Sequence, residues 1–204
     1  MDRQPRLYVV AAPSGGGKTS LINALLQRDP NLRLSVSHTT RPPRPGEIDG
    51  VHYHFIDESR FQKLVAESAF LEHARVYGHY YGTGRAAVEE KLAAGLDVML
   101  DIDWQGAQQV RKSFPESCSI FILPPSLQEL RSRLTRRGQD SEATIESRMR
   151  QARDEMAHCS EFDFLVINDD FEAALEDLYS IVHRHRTARS GQQERIASLL
   201  AELL

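Results

Sequence analysis

Residues 12–19 read Ala12-Pro13-Ser14-Gly15-Gly16-Gly17-Lys18-Thr19, directly after the apolar run Leu7–Ala12 and before the helix-like stretch Ser20–Leu26. Strand, glycine loop and helix in that order are what a phosphate cradle requires. Glycines let the backbone adopt φ > 0 and approach a ligand closely, so that successive N–H groups point at one anion. The N-terminus of the following helix adds its dipole and its unpaired donors. In such a loop Lys18 reaches the β- and γ-phosphates, and the Thr19 hydroxyl holds Mg²⁺. The usual pattern opens with glycine where this chain has Ala12, so the first turn must suit a residue with a Cβ. A glycine turn with a chance lysine is the competing reading. Gly17-Lys18-Thr19, intact between strand and helix, weighs against it. The sequence implies a site for a nucleoside triphosphate.

The chain has 204 residues, 41% hydrophobic and 26% charged, enough for one sizeable core in a soluble globular domain. A net charge of −4 argues against bulk electrostatic binding of nucleic acid or of an anionic membrane. Phosphate recognition must therefore come from local arginine clusters. Cys118 and Cys159 lack the C-x-x-C spacing of a zinc or redox pair and read as two buried or half-buried thiols in a reducing cytosol. Met1–Arg6 shows no signal-peptide apolar region, and no run approaches the ~18 apolar residues of a membrane span. A cytoplasmic location is expected.

Short apolar runs near 7–12, 32–37, 96–102, 118–123 and 163–168 read as buried strands. Helical periodicity marks 18–28, 84–94, 104–113, 126–137, 142–159 and 170–187, the last after a cap-like Asp169-Asp170. This alternation predicts an α/β fold: a P-loop core with a parallel sheet flanked by helices, its ligands at the carboxyl ends of the strands. Residues 38–83 break the rhythm with a proline-rich loop, an alternating run at 51–55, a helix capped by Asp57, and a second extended stretch at 70–77. They read as a mixed α/β insertion whose strands run antiparallel, not as another βαβ unit. The core is then 1–37 and 84–204, with a charged, glycine-containing lid at about 136–148.

In Arg41-Pro42-Pro43-Arg44 the prolines restrict the backbone, so two guanidiniums sit on a stiff loop. Paired arginine forks can clamp a phosphate monoester. A polyproline II docking segment on the surface is an equal reading on local grounds. The P-loop favours the clamp, because a kinase needs a second site that sets an acceptor phosphate in line with the γ-phosphate.

The wider pattern is specific. Ser35-Val-Ser37-His-Thr-Thr-Arg41-Pro-Pro-Arg44-Pro-Gly-Glu47, Phe70-Leu-Glu72, Tyr80-Tyr81-Gly82-Thr83 and Leu100-Asp101-Ile-Asp103-Trp-Gln-Gly106 follow one another at the spacing of the guanylate kinase family. Ile120–Pro125, Arg137–Asp140 and Val166-Ile-Asn168-Asp-Asp170 extend the resemblance, which runs from about Leu7 to Arg186. At Ala12 the chain is similar to bacterial members. The resemblance implies ATP and GMP as substrates, Mg²⁺ as cofactor and a lid that closes over the triphosphate. It implies that Arg41, Arg44, Tyr53 and Tyr81 bind the GMP phosphate, and that Ser37, Glu72 and Thr83 read the guanine, with Asp101 and Asp103 nearby. Arg133, Arg137 and Arg148 match the family's lid arginines and, with Lys18 and Arg41, form the expected catalytic set.

The residue chemistry agrees. Guanine offers two adjacent donors, N1–H and N2–H₂, which one carboxylate such as Glu72 can accept; adenine would leave that carboxylate mismatched. Asp101 and Asp103 end an apolar run where a sheet presents side chains to its ligand. Asp101 is an expected Mg²⁺ ligand with Thr19, directly or through water, while Asp103 reads equally as the cap of the next helix. Arg131 and Arg136 read as solvated helix arginines, His52 and His54 as structural, and Arg184, Arg186 and Arg189 as an exposed helix face. Two other functions fit parts of the pattern. One is a non-catalytic guanylate-kinase-like module that binds phosphorylated protein segments; the other is a P-loop kinase for a different phosphorylated small molecule.

Overall fold

In the computed structural model, residues 4–136, 141–184, 199–200 and 203 are described. Packing divides the chain into two units, Met1–Val9 with Pro30–Cys118 and Val10–Asp29 with Ser119–Leu204.

The first unit holds the start of β1 (Leu7–Ala11), followed in its sheet by β7 (Asp97–Asp101) and β2 (Leu32–Leu34). β2 and β7 run parallel, Leu32 opposite Asp97. Val98, Met99 and Leu100 are fully buried, which fits an unbroken apolar run covered on both faces. A second sheet has the order β4-β3-β6-β5, built from His54–Phe55, His38–Thr39, His79–Gly84 and Phe70–Val76. It is mixed, which corrects the antiparallel reading of 38–83: β3 and β4 are parallel. The intervening residues 40–53 form a crossover of about a dozen residues, long enough to bring the chain back in the same direction. The alternating run also shrinks, because Val51 is exposed and the strand begins only at His54.

The hairpin between β5 and β6 positions the site. Tyr77 and Gly78 both have positive φ, 51° and 83°, as a two-residue primed turn demands. That turn pairs Val76 with His79 and, further along, Glu72 with Thr83. A bulge between Phe70 and Glu72 takes the two side chains out of step. Phe70 then packs on Phe61 of α2 (Glu58–Ala66), ring centroids 4.7 Å apart, and Glu72 lies against α4 (Trp104–Ser113). Asp57 caps α2, its carboxylate accepting from the Arg60 N–H at 2.7 Å. α3 (Arg85–Ala93) buries Val88.

In the second unit β1 continues beside β8 (Cys118–Leu123), which pairs in parallel with β9 (Phe164–Ile167). Helices α1 (Lys18–Arg28), α5 (Leu127–Arg136), α6 (Glu142–Ala157) and α7 (Phe171–Arg184) flank these strands. Phe121, Leu130, Leu134, Ile145, Met149 and Met156 share one apolar core with Leu199 and Leu203. Asp170 starts α7 by accepting from the Ala173 N–H at 2.9 Å. α1 and α7 are joined by Arg28, which pairs with Glu176 at 2.7 Å and lies 4.2 Å from the Tyr179 ring centroid. α6 stops two residues short of the expected 159, where Cys159–Glu161 tightens into a 3-10 turn. Neither cysteine forms a disulfide among the described residues; both are buried, and burial pushes the Cys159 thiol up. Arg186 and Arg189 lie outside the described residues. Among the described residues no helix is long and apolar enough to cross a membrane.

Phe121 is 1% exposed and meets Phe162 edge to face at 5.0 Å. Phe121→Ala should destabilise the protein by ~3–5 kcal/mol, and Phe121→Leu by less. Urea unfolding measures both; an alanine variant as stable as the parent would contradict this core.

Candidate functional site

Each unit carries its own constellation. In the second, β1 ends in the loop Ala12–Gly17 and α1 starts at Lys18. Gly16 N–H closes a turn on the Pro13 carbonyl at 2.8 Å. Gly15 and Gly17 have φ of 91° and 90°, the left-handed region that side chains resist. Space enforces the same choice, since a Cβ on Gly17 would overlap Asn168 Nδ2 and one on Gly15 would sit 3.0 Å from Leu130 Cδ1. Asn168, 6% exposed at the end of β9, donates from Nδ2 to the Gly16 carbonyl at 2.8 Å. Its own carbonyl accepts from Arg133 Nη2 at 2.9 Å. Glu129 accepts from Arg133 Nε at 2.9 Å, and that bond holds the Glu129 carboxyl below its ordinary range. The Ser14 N–H donates to Glu155 of α6 at 3.2 Å. Lys18 opens α1 half-buried, and Thr19 is exposed beside it.

Arg133 is therefore fixed at the glycine loop. Arg148 lies half-buried on α6, and Arg137 lies outside the described residues, as does the lid segment 137–140. Arg131 pairs with Glu142 and with Glu146, the latter at 2.5 Å, and Arg136 pairs with Glu129 at 3.0 Å. Arg131 thus ties α5 to α6 rather than standing solvated, whereas Arg136 bonds within α5 and stays largely exposed, as a solvated helix arginine does.

In the first unit the Thr83 hydroxyl donates to Glu72 Oε1 at 2.6 Å, and Ser37 Oγ lies 3.3 Å from Thr83 Oγ1. Thr83 has a single hydroxyl hydrogen, already given to Glu72, so Ser37 donates to Thr83 and keeps its lone pairs for a ligand. All three residues are buried. Gly106 on α4 permits this arrangement, because a Cβ there would overlap Glu72 Oε2. Tyr81 lies two residues before Thr83 on β6 and so shares its face. The Tyr81 ring packs edge to face on Tyr53 at 6.0 Å, and the Arg41 guanidinium lies 5.4 Å from the Tyr53 centroid. Burial, and then the negative charge of Asp101, push the Tyr53 hydroxyl up to about 12. Burial opposes the Arg41 charge, but the hydrogen bonds it donates to Glu47 and Tyr81 outweigh it and raise its pKa.

Arg41, Tyr53 and Tyr81 thus meet, and so do Ser37, Glu72 and Thr83. The Arg44 side chain is exposed on the same loop. Asp101 ends β7; Asp103 caps α4, accepting from Gly106 N–H at 2.9 Å, and takes a second bond from Gln105 at 2.9 Å. The capping reading of Asp103 is the one its geometry bears out. His52 Nδ1 accepts from the Ile48 N–H at 3.0 Å, and the His54 ring lies tilted beside that of His38, centroids 4.7 Å apart, both structural contacts. Sequence reasoning gave no role to Asn168, Glu47 or Gly106. Each carries a signal: a polar residue ending an apolar strand, an acid returned by a Pro-Gly turn, and a glycine inside a helix.

The family model described as guanylate kinase matches residues 4–185. A guanylate kinase of Alkalilimnicola ehrlichii is 58% identical over 200 residues, 97% of this chain and 98% of the relative. That of Escherichia coli K12 is 55% identical over 203 residues, 98% of each. Among solved structures, a guanylate kinase from Anaplasma phagocytophilum superposes with a TM-score of 0.76 at 32% identity, covering 95% of this chain and 94% of that one.

Gly17→Ala combines a left-handed residue, ~1–2 kcal/mol, with a steric overlap at Asn168. ATP affinity of the folded variant, followed by calorimetric titration, should fall at least ~10-fold. Unchanged affinity would mean that the loop does not cradle the triphosphate.

Proposed function

The chain belongs to the guanylate kinase family, which makes it a nucleoside monophosphate kinase, and from that premise we propose that its reaction is ATP + GMP → ADP + GDP. The relatives' identity over nearly the whole length, with Gly17-Lys18-Thr19 retained, sets aside the non-catalytic module. The observation that carries the choice of GMP is the buried chain Ser37–Thr83–Glu72. It offers acceptors, a carboxylate and a serine oxygen, to a base whose edge presents N1–H and N2–H₂. Adenine would set its N1 lone pair against the carboxylate, a mismatch on the order of 1–3 kcal/mol. Arg41, Arg44, Tyr53 and Tyr81 bind the monophosphate, and Asp101 lies near the base.

Residues 12–19 bind the triphosphate of ATP, and Arg133, Arg148 and Arg137 neutralise the charge on the transferring group together with Lys18. The acceptor phosphate oxygen is already anionic at neutral pH, so no strong base is needed. Catalysis is positioning plus charge neutralisation. Thr19 and Asp101 are hard oxygen donors of the kind Mg²⁺ takes one or two at a time. Mg²⁺ held by Thr19 and Asp101 would supply charge to the β- and γ-phosphates. In this reading 38–83 is the GMP-binding region, and 1–37 with 84–204 the ATP-binding core, its lid at about 136–148. The protein works in the cytoplasm on small nucleotides, without nucleic acid or membrane partners.

ADP formation from ATP across GMP, AMP, CMP and UMP tests the proposal; any acceptor used better than GMP sinks it. Lys18→Ala should lower turnover on the order of 10²-fold or more. Glu72→Gln sets an amide donor against guanine N–H groups and should weaken GMP by at least ~1–3 kcal/mol, with ATP affinity barely changed. Arg44→Ala should weaken GMP without improving AMP relative to it. If the Glu72→Gln protein keeps the parental kcat/KM for GMP, the base is read elsewhere.

A further inference from the structure

Glu47 lies on the loop that carries Arg41 and Arg44, and none of the roles above includes it. Arginine has five N–H donors. In Arg41, Nη1 donates to the Pro42 carbonyl at 2.7 Å and to Glu47 Oε2 at 2.9 Å, while Nη2 donates to Glu47 Oε1 at 2.7 Å. Glu47 therefore grips the end of the fork, across both Nη atoms. Neither Glu47 nor Pro42 takes Nε–H or the second Nη2–H, the edge that the neighbouring Tyr81 hydroxyl also meets. These two run parallel along the side of the guanidinium, spaced to meet two oxygens of one phosphate.

The loop is folded to deliver this acid. Glu47 N–H bonds the Arg44 carbonyl at 3.0 Å across Pro45-Gly46, and Gly46 has φ 86°. Proline followed by a left-handed glycine at the two central positions is the chemistry of a type II turn. The same carboxylate accepts from the Arg44 N–H at 2.7 Å, so one side chain organises both arginine positions. The ion pair is largely shielded, with side-chain exposures of 10% for Arg41 and 17% for Glu47. Water competes poorly with it there.

We propose that Glu47 is a positioning residue of the acceptor site: it holds the Arg41 guanidinium by its end, so that the side edge faces the phosphate of the nucleoside monophosphate. The inference rests on Arg41 being a phosphate ligand. A carboxylate on a phosphate-binding arginine could instead act as a competitor that the substrate must displace. The two roles have opposite signs. A positioning acid lowers the KM for the monophosphate, whereas a competitor raises it.

The test uses the full chain as wild type, Glu47→Gln, Glu47→Ala, Arg41→Ala and the Arg41→Ala/Glu47→Ala double variant. KM is measured for GMP and for ATP, and guanosine, which lacks the phosphate, is titrated as an inhibitor against GMP. Glu47→Ala should raise the KM for GMP on the order of tenfold or more, the loss of a charge-assisted bond, with a smaller rise in Glu47→Gln. ATP and guanosine should stay within about twofold, and the double variant should be no worse than Arg41→Ala, since the two residues act as one unit. A KM for GMP that is unchanged or lower in Glu47→Ala overturns the proposal. So does an equal weakening of guanosine, which a merely structural role would give, or additive effects in the double variant. If Arg41→Ala itself leaves the KM for GMP unchanged, the phosphate-ligand reading falls and takes this one with it. If only Glu47→Ala is silent, the ligand reading stands and the positioning role alone fails.

Discussion

Backbone N–H groups can converge on a phosphate only where the chain accepts left-handed turns, and the region around the glycine loop is arranged to keep that possible. Gly15 and Gly17 have the required φ, and their missing side chains leave space that Leu130 and Asn168 fill. Asn168 in turn bonds the Gly16 carbonyl and anchors Arg133 through its own. A cationic side chain and a strand end are thereby coupled to the loop conformation. Three elements distant in sequence, β1, α5 and β9, depend on residues without a Cβ.

Charge is handled alike in the two units. Each principal arginine is held by a carboxylate, Arg41 by Glu47 and Arg133 by Glu129. Guanidiniums left loose near one another would repel and would lose side-chain entropy on binding. Carboxylate partners fix the forks in advance and leave part of each donor set for a ligand. The base site follows the same economy, with the Thr83 hydroxyl donating to Glu72 and accepting from Ser37.

Much of this was legible in the residues. Buried strands read as apolar runs because parallel strands covered on both faces have no polar side, as at Val98–Leu100. Asp57, Asp103 and Asp170 announced helices because their caps are local chemistry. What stayed hidden was long-range. The parallel pairing of β3 and β4 depends on where a crossover lands, and His54–Phe55 is too short to show periodicity. Asn168 and Gly106 act through neighbours 152 and 34 positions away, Gly16 and Glu72, which no local pattern encodes. Glu47 was within reach of local reasoning, since Pro45-Gly46 predicts the turn that returns it to Arg41.

In the proposed reaction one phosphoryl group moves from a P-loop-bound triphosphate to a monophosphate held by Arg41. The most direct measurement follows that group. ATP labelled at the γ-phosphorus is incubated with the protein, Mg²⁺ and GMP, and the label is located in the products. The account predicts label at the β-position of GDP, matched by ADP and with little inorganic phosphate. Label released chiefly as inorganic phosphate, or retained in ATP while GMP stays unchanged, would contradict it.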